Sequence, residues 1–522
     1  MKRILQAAAA LAILALSSAA SNAALAQTPP GVLVVGQIAE PKSLDPHAVT
    51  AVNDFRILMN VYDGLVRYKD GTLEVEPALA ESWTISDGGT TYTFELRDGV
   101  TFHDGSPLTA EAVKFNFERM LDENHPYHDT GPFPLSFFFS AVESVTAEGE
   151  GTVVFKLKEP YAPFLSNLAY PTGLIVSSEA VKEHGKDFGR HPSGTGPFRF
   201  AEWESNAKVV VVRNEDYWDG APPLEAVVFR PITDANTRVA EMLSGGIDLM
   251  VEVPPDSVAT FQSDAGYQVH EQAGPHVWFL ILNAKEGPLA DKKMRQAVNY
   301  AIDKKALVEN VLQGTAEVAA GPTPPAFAWA HNDALDPYPH DPEKAKALIK
   351  EAGHEGAELT FYVTEGGSGM LDPVPMGAAI QADLAKVGLN VEIETYEWNT
   401  FLGKVNPGLE GKADMAEMAW MTNDPDTLPY LALRSEAFPE NGGFNSGYYS
   451  NPEVDKLLEE ARRSTNQSER ARLYKAMQEI VHEDAPWAFI ANWKQNAVSA
   501  AAVGSFQLQP SFFLILKDVT KG

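Results

Sequence analysis

The 522 residues carry 41 Lys and Arg against 71 Asp and Glu, a formal net charge of −30, which excludes a phosphate backbone and so nucleic acid as a partner. There is no Cys, which excludes disulfides, thiol chemistry and iron–sulfur clusters. With 44% hydrophobic and 21% charged residues the composition is that of a globular protein, and at roughly 150 residues per domain the length allows about three domains.

In chain order, Lys2 and Arg3 precede an apolar run, Ala7 to Leu16, and a small-residue stretch that ends in Ala24-Leu25-Ala26. This pattern predicts a secretory signal over residues 1–26 with cleavage before Gln27. The run is shorter than the roughly 20 apolar residues a membrane span needs, and no later stretch is continuously apolar. Without Cys there is no site for lipid attachment at the cleavage point, so the expectation is a freely diffusing periplasmic protein and not a lipoprotein.

Beyond the signal, strands and helices interleave as in a mixed α/β protein. Val32 to Ile38 reads as a buried strand, and Thr91 to Leu96 and Thr152 to Leu157 alternate with period two. Between the last two, Thr109 caps a predicted helix whose Val113, Phe117 and Met120 share one face. Further on, Asp341-Pro342-Glu343 is a cap, a first-turn proline and an acidic residue, and Gly353 supplies the stop. Strand Leu359 to Val363, helix Met376 to Val387 and strand Asn390 to Thr395 form a predicted βαβ unit with a parallel pair. Asp414 to Trp420 reads as another strand, and helices start at Asn451-Pro452-Glu453 and near Ser468.

Motifs for catalysis are missing: no His-Glu-x-x-His, no Gly-x-x-x-x-Gly-Lys-Ser/Thr and no Gly-x-Ser-x-Gly. A carboxylate pair of the glycosidase kind leaves no mark in sequence spacing, so a secreted hydrolase stays as the alternative of a different class. His125 and His128 flank Pro126-Tyr127, and His103 precedes Asp104. With no further ligand near them they read as solvated side chains, and neither a metal nor a cofactor is expected.

The segment from Leu79 to Val113, which contains Glu81-Ser82-Trp83, Tyr92-Thr93-Phe94 and Phe102-His103-Asp104-Gly105, resembles the signature of the peptide, opine and nickel class of bacterial extracellular solute-binding proteins, family 5. Further blocks fit in the same order: Ser43-Leu44-Asp45-Pro46, Gly194-Thr195-Gly196-Pro197-Phe198 with Arg213-Asn214-Glu215-Asp216-Tyr217-Trp218, and Met294-Arg295-Gln296-Ala297. The resemblance implies a two-lobed periplasmic-binding-protein clamshell with an extra inserted α+β domain in the first lobe. It also implies a monomer that closes on a peptide or related small solute and delivers it to the membrane permease of an ABC importer. By block order, lobe one takes residues 31–65, 175–271 and 485–522, the inserted domain 66–174, and lobe two 272–484, with the two crossings as hinge.

Open α/β sheets bind ligands beyond the carboxyl ends of their strands. That rule nominates Trp420, as an apolar wall, and the loop after it with Asn423, Asp424 and Asp426. In peptide binders of the family a carboxylate shortly after such a Trp holds the peptide ammonium, a bond contributing on the order of 1.5–3 kcal/mol. In that role Asp424→Asn would weaken binding of cationic-ended ligands and leave stability unchanged. Trp278, Arg434 and Asn445, with Tyr448 and Tyr449, are further candidate contacts. The stretch Pro373-Val374-Pro375-Met376 lacks the arginine that dipeptide binders place there, and Asn423 stands at the usual carboxylate spacing. Both anchors of a dipeptide are therefore in doubt, and an oligopeptide, opine, oligosaccharide or metal chelate gains weight.

Overall fold

The structure, a computed structural model, describes residues 28–367 and 369–522, so the expected signal over residues 1–26 lies outside it. Val32–Gln37 is the buried strand its apolar run predicts, and it pairs in parallel with Ala226–Pro231 and Leu249–Val251. Its side chains alternate between two cores. Leu33 and Val35 join Phe55, Phe198 and Phe513 on one face, and Val34 joins Met242 and Phe261 on the other. A strand covered on both faces must be apolar throughout.

A second sheet holds the predicted βαβ unit: Glu358–Thr364 lies parallel to Asn390–Tyr396 on one side and to Met415–Met421 on the other. The helix between the first two, Pro373–Lys386, starts three residues earlier than its apolar pattern indicates. Pro373 and Pro375 sit in its first turn, where the missing N–H has no intrahelical partner to lose. Elsewhere the caps act as read. The Asp341 carboxylate accepts from the Lys344 N–H at 2.9 Å, Gly353 closes that helix at φ 74°, and Thr109 accepts from Ala112. Each such N-cap contributes about 1 kcal/mol.

Between residues 66 and 174 the chain builds a separate antiparallel sheet, ordered Ala80–Ser86, Thr91–Leu96, Thr152–Leu157, Val142–Glu148. The helix Ala110–Leu121 covers one face of it, burying Val113, Phe117 and Met120 against Phe94, Phe155 and Phe164. Phe117 meets Phe155 edge to face at 4.8 Å, an arrangement that adds about 0.5–1.5 kcal/mol to area burial.

One strand, Trp487–Ala500, belongs to both large sheets. Its first residues, Trp487–Ala491, pair with Trp278–Ile281, and Lys494–Ala500 pair with Tyr267–Ala273. The chain thus changes sheet at residues 274–275 and again inside this strand near Trp493. The second crossing lies beyond the expected boundary at 484/485 because the strand runs through without a turn residue to mark it. The two crossings are stitched together: Gly274 N–H donates to the Trp493 carbonyl at 3.0 Å, and the Asn492 amide donates to the His276 carbonyl at 2.7 Å.

The quoted sequence blocks serve as fastenings inside this frame. Asp45 is in a buried ion pair with Arg119. Buried Asp63 accepts from Thr195 (2.8 Å), Tyr217 (3.0 Å) and the Trp218 indole (2.9 Å), which locks two of the blocks to the segment after helix Val52–Val61. Gly194 and Gly196 lie so close to Val61 that a Cβ at either would come within 2.5 Å of its backbone. Arg295 donates to the carbonyls of Leu289, Ala290 and Asp484.

Candidate functional site

Where the second sheet, the inserted domain and the C-terminal segment meet, the structure leaves a cleft of about 270 Å³. The second sheet contributes Trp420, at the carboxyl end of Met415–Met421, and a later loop contributes Phe444, which meets Trp420 edge to face at 5.4 Å. The inserted domain contributes Phe137, Phe138 and Tyr170, and the C-terminal segment contributes Phe512. Phe138 packs edge-on to Tyr170 at 5.5 Å, and Phe512 lies 4.9 Å from Trp493 at the second crossing. None of the lining residues is charged.

The loop after Trp420 is held by its own side chains. Thr422 N–H donates to the Pro275 carbonyl at 3.0 Å, Thr422 Oγ1 to the Asp424 carbonyl at 2.6 Å, and Asp426 N–H to the Asp424 carboxylate at 2.9 Å. Asp424 is 1% exposed; it pairs with Arg470 at 2.5 Å and accepts from Ser166 Oγ at 2.8 Å. Burial works against the charge on Arg470, but Asp424, Tyr474 and Asp426 together more than offset it, so Arg470 lies above its ordinary pKa. Asp426, equally buried, pairs with Arg462 at 2.7 Å; burial pushes it up to about 6 while Arg462 pulls the other way. The loop's two carboxylates are thus neutralised by arginines of the helices that follow.

Of the seven residues nominated from sequence, Trp420 and Asn423 line the cleft. The Asn423 amide donates to Asn167 Oδ1 at 2.7 Å, across to the inserted domain. Asp424 and Asp426 turn away from it into the ion pairs just described. Trp278 is fully buried in the core of the second sheet, beside Leu280 and Met294. Arg434 pairs with Glu459 at 2.5 Å and Glu436 at 3.0 Å and stacks on Tyr430, and Asn445 donates to the carbonyls of Arg434 and Tyr449. Tyr449 donates to Asp484 at 2.7 Å. The aromatic residues of the inserted domain and the C-terminal segment were not anticipated. The runs Phe137-Phe138-Phe139 and Phe512-Phe513 were the signal available: Phe139 enters the core of the inserted domain, and the other four line the cleft.

Among the described residues no group of three or more His, Asp or Glu is placed to hold a metal, and no helix is long and apolar enough to cross a membrane. His128 instead hydrogen-bonds the Arg119 carbonyl at 2.9 Å, and His125 packs on Phe115.

The family profile of bacterial extracellular solute-binding proteins, family 5 Middle, matches residues 74–440. The chain belongs to this family. It is 38% identical to heme-binding protein A of Haemophilus influenzae over 452 residues, covering 83% of this chain and 81% of that protein. It is 32% identical to di/tripeptide-binding protein 2 of Pseudomonas aeruginosa over 516 residues, covering 95% and 96%. HbpA2 from Haemophilus parasuis superposes with a TM-score of 0.88 at 31% identity, covering 94% of this chain and 100% of that one. The fold is therefore the two-lobed one of periplasmic binding proteins, and the chain is the periplasmic solute-binding component of an ABC importer that works with a membrane permease.

Proposed function

We propose that the solute is held in the aromatic cleft between the lobes, against Trp420, Phe444 and Asn423 on one side and Phe137, Phe138 and Tyr170 on the other, and is passed on without chemical change. The observation that carries this is the position of the cleft: the end of the second sheet, the inserted domain and the C-terminal residues 511–513 all contribute to its wall beside the two crossings. A solute there touches both lobes at once, so it favours the closed arrangement over the open one, which is the condition for binding to be signalled to a permease. Export through residues 1–26, without a lipid anchor, belongs to the same reading.

Peptides are the first solute class to consider, since di/tripeptide-binding protein 2 is among the relatives. A non-peptide solute is favoured by one specific observation, the uncharged lining, and heme-binding protein A is also a relative. The test is to incubate the purified chain with peptide, opine and sugar libraries and to follow both melting temperature and product formation. Stoichiometric stabilisation without turnover, lost in Trp420→Ala, is expected. Release of product would instead support a hydrolase.

A further inference from the structure

The chemistry of the cleft wall says more than its position. A pocket for a free dipeptide must meet an ammonium and a carboxylate, and a charge taken from water without a partner is strongly disfavoured. Here the wall offers no formal charge of either sign. The two carboxylates nearest in sequence, Asp424 and Asp426, are each 1% exposed and already matched to Arg470 and Arg462. The polar groups of the wall are neutral and engaged within the protein: Thr422 Oγ1 donates to the Asp424 carbonyl, Thr427 Oγ1 to Asn423 Oδ1 and the Asn423 amide to Asn167 Oδ1.

A second observation points the same way. Phe137 is 54% and Phe444 39% exposed, two of only four large hydrophobic side chains so exposed among the described residues, and both line this cleft from opposite sides. Apolar surface left in water at a concave site marks a surface that a ligand covers. The volume of about 270 Å³ compares with the roughly 150 Å³ cavity that takes up one benzene, so the space suits one or two ring-sized or branched aliphatic groups.

We propose that the cleft selects an uncharged solute, or the uncharged part of one, that places aromatic or aliphatic groups between Trp420 and Phe444 on one lobe and Phe137, Phe138 and Tyr170 on the other. A small peptide with both ends free is disfavoured. This rests on the reading of the cleft as the solute site, and the test separates the two.

Chain shown by native mass spectrometry to be free of solute is titrated calorimetrically with Leu-Phe, with N-acetyl-Leu-Phe-amide, and with the uncharged fluorophore N-phenyl-1-naphthylamine. The two peptides carry the same side chains and differ only in their end charges. The expected result is at least tenfold tighter binding of the blocked peptide, with Trp420→Ala and Phe444→Ala each weakening it at least tenfold while the far-ultraviolet circular dichroism of the empty variants is unchanged. Binding of Leu-Phe as tight as that of the blocked form would overturn the proposal. So would failure of both uncharged probes to bind at millimolar concentration. If Leu-Phe binds tightly and Trp420→Ala abolishes it, the inference about charge fails and the cleft stands. If ligands bind and neither Trp420→Ala nor Phe444→Ala alters their affinity, the cleft itself is the wrong site.

Discussion

Gly274 carries no side chain at the point where the ring of Phe512 lies against it: a Cβ there would stand 2.4 Å from Phe512 Cζ. Gly274 is the first crossing between the lobes and donates to Trp493 at the second, while Phe512, held at φ 65° in the left-handed region, forms part of the cleft wall. A bulky residue persists in that conformation only where its surroundings over-determine it. The crossing between the two sheets and the cleft wall are thus in direct contact. Gly274→Ala must push the ring away from the crossing, and overpacking of this kind costs about 1–3 kcal/mol. Urea denaturation should show that loss, and titration should show weaker solute binding. An unchanged midpoint and affinity would mean that Phe512 does not connect the two.

Asp424 supports the fold through Arg470. Removing one partner of a buried pair leaves the other charge uncompensated, at a cost of about 3–5 kcal/mol. Asp424→Ala should therefore lower the free energy of unfolding by that order in equilibrium denaturation. A loss below about 1 kcal/mol would indicate that Arg470 reaches water. This differs from the outcome expected of Asp424 as an ammonium anchor, where the change would appear in affinity with stability untouched.

Ser166 and Asn167 lie on the inserted-domain helix Phe164–Ala169 and reach Asp424 and Asn423 on the other lobe at 2.8 and 2.7 Å. These bonds tie the inserted domain to the loop after Trp420. A hydrogen bond to a charged group contributes about 1.5–3 kcal/mol, so Ser166→Ala should weaken solute binding about tenfold or more and enlarge the radius of gyration of the solute-free protein in solution scattering. Unaltered affinity and radius would show that the bond is not part of closure.

Buried His276 donates from Nε2 to the Gly369 carbonyl at 2.7 Å and accepts the Trp493 N–H at Nδ1, 3.2 Å away, so the neutral ring is the form that fits. Burial lowers its pKa to about 4. With the folded value below the unfolded one near 6.5, the unfolded chain binds the proton first as pH falls. Stability from this group is present in full above about 6.5 and declines toward pH 4, by about 2 kcal/mol at pH 5. In His276→Gln the drop in unfolding free energy between pH 7 and pH 5 should be smaller by that amount. An identical pH dependence would place the titration elsewhere.

The parts of this architecture written in local patterns were legible in the sequence. The cap at Asp341, the stop at Gly353 and the alternation in Thr91–Leu96 depend only on neighbours within a few residues. The parallel pair of Glu358–Thr364 and Asn390–Tyr396 follows from the helix between them. The partners of Asp424 and Asp426 were not legible, because Arg470 and Arg462 lie 46 and 36 residues further on and nothing local marks them. The second crossing was missed for a related reason: Trp487–Ala500 is one continuous strand, and which half pairs with which sheet is decided by Tyr267–Ala273 and His276–Leu282. For the cleft, Trp420 could be found from a strand end, whereas Phe137 and Phe512 reach it only through the packing of three separate parts of the chain.

The most direct measurement of the central claim is native mass spectrometry of the chain isolated from periplasm, side by side with Trp420→Ala and Phe444→Ala. The account predicts one small solute per chain in the parent protein, apolar over the part that enters the cleft, and its loss from both variants with their folds intact. A chain whose solute is a doubly charged free dipeptide, or is retained equally by both variants, would contradict it.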